Sequence, residues 1–217
     1  MVIYVQSEYS ISNSQERTHF LDIYDDQKLS EARKKNYFPK KTFSEDNVIN
    51  EYYEGYLGLH LLSMGEESLY KIQSKKDTIV CRFLYLPTFD YPTLILIQVN
   101  AKTEAGIIQL KKSDGLMGYP GQNITFTDKH PLEPLQVKWI LENVNHLNVE
   151  LLDKDARRNK VDGTNWSIEI VRDGKYSIRL ERFPEDSDVY QFGKELIRIA
   201  QSQFNFESEA FENLLKD

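Results

Sequence analysis

Three β-rich runs, Thr78 to Leu86, Thr93 to Val99 and Gly106 to Lys111, follow one another through the middle of the chain with only PTFDYP and NAKTEA between them. A parallel crossover needs about a dozen residues or more, so connections this short impose antiparallel pairing, and the runs are expected to form a meander. The middle run, LILIQV, is apolar on both faces, which makes it a central strand.

A second constraint lies downstream. Asn165 to Val171 and Tyr176 to Phe183 flank Asp173-Gly174, a dipeptide suited to the two-residue type I′ turn, whose central residues both take positive φ. That turn sets Val171 opposite Tyr176 and Glu169 opposite Ile178. Ile124 to Thr127 has room for another short strand after DGLMGYPGQN, which carries the glycines and proline of a loop.

Helical spacing fills the intervals. Ser44 with Glu45 and Asp46 reads as an N-cap followed by acids, and Val48, Tyr52, Tyr56, Leu59 and Leu62 recur on one face until Gly65. Gly55 and Gly58 inside that helix each cost about 1 kcal/mol relative to Ala, which points to close packing against another backbone or to a frayed centre. Leu135 to Leu147, entered at Pro134, buries Val137, Ile140, Leu141 and Val144; Ser187 to Gln203 buries Val189, Phe192, Leu196 and Ile199. Phe206 to Leu215 suits a short final helix, Val2 to Val5 a strand, Asp153 to Gly163 an exposed loop, and Ser14 to Asn36 is partly helical with sparse apolar positions. The order implies an α+β fold: an antiparallel sheet of five to six strands, meander plus C-terminal hairpin, with helices packed on one face. Residues 43–217 read as a single domain, and residues 1–42 as an N-terminal appendage.

RFLYLPTF (Arg82 to Phe89), DGLMGYPG (Asp114 to Gly121) and DGTNWSIE (Asp162 to Glu169), followed by Tyr176, Arg182, Pro184 and a closing amphipathic helix, form a recognisable set. Over residues 71–201 the chain resembles a group of small uncharacterised bacterial proteins. The resemblance implies a bacterial origin and one α+β unit across that span, and it carries over no catalytic residue.

A chain of 217 residues buries roughly 70% of its unfolded surface, so no disulfide or metal is needed to hold it together. Its single cysteine forbids an internal disulfide, and no apolar run approaches the length of a membrane span. MVIYVQSEYSISNSQ lacks the basic start and apolar stretch of a secretory signal, so the sequence as it stands reads as cytoplasmic, with a periplasmic location following if a signal peptide was removed. The net charge of −7 disfavours a phosphate-backbone ligand and suits a basic partner.

Chemical motifs are sparse. Cys81 stands in the apolar strand TIVCRFLYL, where a thiol is ordinarily core, and His19, His60, His130 and His146 show no metal-ligand spacing, so no metal or cofactor is expected. There is no phosphate-binding glycine motif; the glycines of DGLMGYPG are turn residues before they are an anion cradle. Glu169 with Arg179, Glu181 and Arg182 on the hairpin resembles a general acid with electrostatic partners, but such groups on a half-buried sheet are more often structural.

The remaining signal is distributional. From Phe43 to Tyr70 there are six acids (Glu45, Asp46, Glu51, Glu54, Glu66, Glu67), four tyrosines and no lysine or arginine. Tyr52 and Tyr56 share a helix face, with Tyr53 and Glu54 turned away from it. Tyrosine supplies rigid contact area and a carboxylate field steers cations, so Glu45, Asp46, Glu51, Tyr52, Tyr53, Glu54 and Tyr56 form the candidate partner-binding set. The reading that follows is a protein-binding module, an immunity or inhibitor protein that neutralises a basic toxin by charge complementarity. Its rivals are an envelope-associated accessory or ligand-binding protein, and a hydrolase using Glu169 or Cys81.

Overall fold

A computed structural model describes residues 26–72, 76–88, 90–115, 119–147, 164–182 and 187–205. The elements are α1 (Asp26–Lys35), α2 (Asn47–Ser63), a 3-10 turn (Leu69–Lys71), β1 (Thr78–Leu86), β2 (Thr93–Asn100), β3 (Ala105–Ser113), β4 (Ile124–Pro131), α3 (Pro134–Val144), β5 (Asn165–Arg172), β6 (Lys175–Arg182) and α4 (Asp188–Phe204). The expected strand at Val2 to Val5, the loop 153–163 and the helix at Phe206 to Leu215 lie outside the described residues.

The six strands form one antiparallel sheet in the order β4-β3-β2-β1-β5-β6, the α+β arrangement expected. The meander runs outward from β1 through β2 and β3 to β4, and the β5-β6 hairpin docks on the other edge of β1. Asp173 and Gly174 take φ of 50° and 74°, as a type I′ turn requires, and the register places Val171 opposite Tyr176 and Glu169 opposite Ile178. β4 extends to Pro131, four residues past the expected end, because Lys129 and His130 continue pairing with Gln109 and Ile108.

The helices do not sit on one face. α3 and α4 cover the face that carries Ile79, Cys81 and Phe83 of β1, Ile95, Ile97 and Val99 of β2, and Trp166, Ile168 and Ile170 of β5. α2 covers the opposite face, where Leu57 and Leu61 pack with Leu84, Leu86, Leu94, Ile178 and Leu180. All nine residues of β1 are buried, which a sheet with helices on one side alone would not allow. The alternation of apolar residues on both faces of β1 and β2 demands two covering layers.

The described part of the 1–42 stretch builds into that second layer. Leu29 and Ala32 of α1 pack against Leu59, and Tyr37 and Phe38 join the cluster beneath α2. Gly58 faces α1 without the close backbone approach expected of it: a Cβ there would meet the side chains of Ala32 and Tyr37 at 3.5 Å, an ordinary contact distance. On the other face Gly193 lies flat against the indole of Trp166, with the space for a Cβ already taken by Cζ3 at 2.3 Å. The N-cap of α2 is Asp46 rather than Ser44; its carboxylate accepts from the Ile49 amide at 3.0 Å, and Ser44 accepts one step earlier, from the Asp46 amide. A carboxylate is the better group at this position because it also faces the positive end of the helix dipole.

Candidate functional site

Glu169 does not meet the arginines of its own hairpin. Strand alternation sends Ser177, Arg179 and Glu181 to the α3/α4 side, where Arg179 pairs with Glu181 and Asp188, while Glu169 points to the α2 side. There it stands directly across from Arg82 of β1, which donates to it through Nε at 2.7 Å and Nη2 at 2.8 Å. The Arg82 Nη1 donates to Glu66 at 3.2 Å and to the Glu67 carbonyl at 2.8 Å, so every arm of the guanidinium is used. Lys111 of β3 closes the network with bonds to Glu66 at 2.6 Å and the Met64 carbonyl at 2.9 Å, and the Tyr176 hydroxyl donates to Glu169 at 2.9 Å.

Arg82 and Glu169 are at most 1% exposed, with apolar clusters on either side. Burial works against the Arg82 charge, and the Glu169 and Glu66 carboxylates more than restore it, holding the guanidinium above its ordinary value. Burial, and then the neighbouring Glu169 charge, push the Tyr176 phenol upward. Two cations and two carboxylates neutralise one another here, and only Lys111 keeps part of its side chain exposed. The arrangement clamps the segment that follows α2 to three strands of the sheet.

Cys81 lies on the opposite face, 1% exposed, its thiol pushed up to about 12 by burial, with a smaller contribution from the Glu169 charge. That is the reverse of an activated nucleophile. The described part of the DGLMGYPG loop is organised around Asp114, whose carboxylate accepts from the Gln122 and Asn123 amides and the Asn123 side chain. Those amides are therefore spent on an internal anion, and their bonds hold the Asp114 carboxyl below its usual range. Among the described residues no group of three His, Cys, Asp or Glu side chains converges as a metal site would, and no helix is long and apolar enough to cross a membrane.

The partner-binding candidates collect on the N-terminal half of α2. Glu45, Asp46 and Glu51 are exposed, Tyr52, Tyr53 and Glu54 are half-buried, and Tyr56 is buried. Tyr56 thus supports the face rather than presenting it: its ring stacks parallel to Tyr52 at 6.1 Å, and its hydroxyl accepts from Asn165 of β5. Tyr53 is held edge-on to Tyr52 at 5.1 Å and against Phe43 at 5.8 Å. The acidity of the run is partly spent within the fold. Glu45 pairs with Lys41, Glu67 with Lys35, and Glu66 with Arg82 and Lys111, so Asp46, Glu51 and Glu54 are left without an ion pair among the described residues. Glu54 accepts a hydrogen bond from Asn50 at 2.7 Å.

Beside this face a groove of about 350 Å³ opens between the helices, lined by Ala32, Arg33, Asn36, Tyr37, Phe38, Lys40, Glu51 and Glu54. Its geometry follows from the sequence of α2. Glu54 and Glu51 stand one and two turns nearer the N-terminus than Gly58 on the same face of α2, and line the groove opposite α1 and the turn that follows it.

Composition and spacing missed Arg82, Lys111, Arg33 and Lys40. A signal for the first was present: an arginine inside TIVCRFLYL needs a buried partner, and a hairpin docked on that strand offers Glu169. No family model matches the chain, and no curated protein matches it.

Proposed function

We propose that this chain is a protein-binding module that recognises a basic partner through the N-terminal half of α2, and that it acts as an immunity or inhibitor protein neutralising a basic toxin. The observation that carries this reading is the pair Tyr52 and Tyr53, half-exposed, fixed by ring contacts, and flanked by Glu51 and Glu54, which have no ion pair among the described residues. Rings already held in place lose little entropy when a partner covers them, and unpaired carboxylates around them accelerate encounter with a cationic surface. The net charge of −7 adds a long-range field of the same sign.

The test is co-expression with basic proteins encoded beside this chain. Rescue of growth arrested by one of them, and a complex whose association slows steeply with salt, support the reading. Tyr53→Ala should then mainly speed dissociation, and Glu51→Lys with Glu54→Lys should mainly slow association. A complex indifferent to all three substitutions removes α2 as the recognition face.

A further inference from the structure

The groove between α1 and α2 is not uniformly acidic. Glu51 and Glu54 form one wall; Arg33, at the end of α1, and Lys40, in the turn after it, stand with Asn36 on the other. Buried Ala32, Tyr37 and Phe38 make an apolar floor. Among the described residues no ion pair joins the two walls. Opposite charges therefore face each other across a gap over a low-dielectric floor, which concentrates the field across the groove.

We propose that this groove receives a loop of the partner protein in which a lysine or arginine stands beside an aspartate or glutamate, the cation against Glu51 and Glu54 and the anion against Arg33 and Lys40. The proposal rests on the reading of α2 as the recognition face and sharpens it. A wholly basic segment gains from one wall and is repelled by the other, whereas a mixed segment is attracted by both. The cationic wall thus discriminates among basic partners, something an acidic helix alone does poorly. A volume of about 350 Å³ sits at the small end of ligand-pocket sizes, which suits the tip of a loop contributing a few side chains and not a folded element.

Three capped pentapeptides test this by amide chemical-shift mapping on the full chain at low salt: Ala-Ala-Arg-Glu-Ala, Ala-Ala-Arg-Arg-Ala and Ala-Ala-Glu-Glu-Ala. The mixed peptide should shift amides of residues 32–40 and 51–54 and saturate at a concentration several-fold lower than either of the others. Arg33→Gln with Lys40→Gln should remove that preference and leave the all-arginine peptide ahead; because both side chains are exposed, an unchanged spectrum elsewhere will show that the fold is intact. If the all-arginine peptide binds the unaltered chain as well as the mixed one, the mixed-charge groove is overturned while α2 keeps its recognition role. Free arginine matching the mixed peptide would make this a small-molecule site and overturn the docking proposal. No shift with any peptide overturns the groove, and the co-expression result then decides the recognition reading separately.

Discussion

On the α3/α4 side of the sheet the central strands present Ile79, Cys81, Phe83, Ile97, Trp166 and Ile168, all buried and all apolar or nearly so. On the α1/α2 side β1 carries Arg82, β5 Glu169 and β3 Lys111, between two smaller apolar clusters. At the centre of the sheet the two faces are buried by different means, the Arg179, Glu181 and Asp188 group of the α3/α4 side being confined to edge strand β6 and the start of α4. Apolar burial is non-directional and tolerates sliding, so it stabilises a layer without fixing where that layer sits. The ionic face is directional: Arg82 holds Glu169 on the sheet with one edge of its guanidinium, and Glu66 and the Glu67 carbonyl beyond α2 with the other. Charges of this kind cost desolvation whether or not they are paired, so their presence marks a place where position is specified along with burial.

The contrast makes the largest expected effect that of Arg82→Met, which leaves Glu169 without its buried cation and should cost about 3–5 kcal/mol by denaturant unfolding. Arg82→Met combined with Glu169→Leu should recover most of that loss, and a single variant costing under about 1 kcal/mol would break the distinction between the faces. On the apolar side, Ile97→Ala should cost about 2–5 kcal/mol in proportion to the cavity it leaves, with no second-site rescue by charge removal. Gly193→Ala tests packing from the other direction. Its Cβ would fall on the Trp166 ring, and the resulting strain should cost about 1–3 kcal/mol, visible as a lowered Tm.

Alkaline pH separates the thiol from its surroundings. The Cys81 pKa rises from 9.0 to about 12 on folding, so the unfolded chain loses that proton first. The stability it contributes is complete below pH 9.0 and declines as pH rises toward about 12, at up to about 1.4 kcal/mol per pH unit. Cys81→Ala should flatten that part of the stability profile, and a thiol reagent should label the native protein only on the timescale of unfolding. The smallest effect belongs to the surface pair Lys35 and Glu67: Glu67→Ala should change stability by less than about 1 kcal/mol, since both side chains are well exposed.

The lengths of PTFDYP and NAKTEA were enough to make the central strands an antiparallel meander, and Asp173-Gly174 was enough to set the hairpin register residue by residue, because both act through backbone geometry within a few positions. The apolar run LILIQV also carried the information that the sheet is covered twice, although it named no helix for the second layer; sparse apolar positions before Asn36 concealed α1 as that layer's outer part. On the candidate recognition face, the cluster of acids and tyrosines was legible as composition. Which acids remain unpaired was not, because the bases that neutralise Glu66 and Glu67 come from β1, β3 and α1. Glu169 finds Arg82 across 87 positions of chain only once β5 has docked against β1 and alternation has turned both side chains to the same side. What the sequence determined alone were the features governed by short-range sterics and by period: strands, turn, register and the existence of a buried surface. Tertiary structure alone decided the charge pairing and the groove, since electrostatic partners are selected by distance in space, and that distance exists only after the layers have packed.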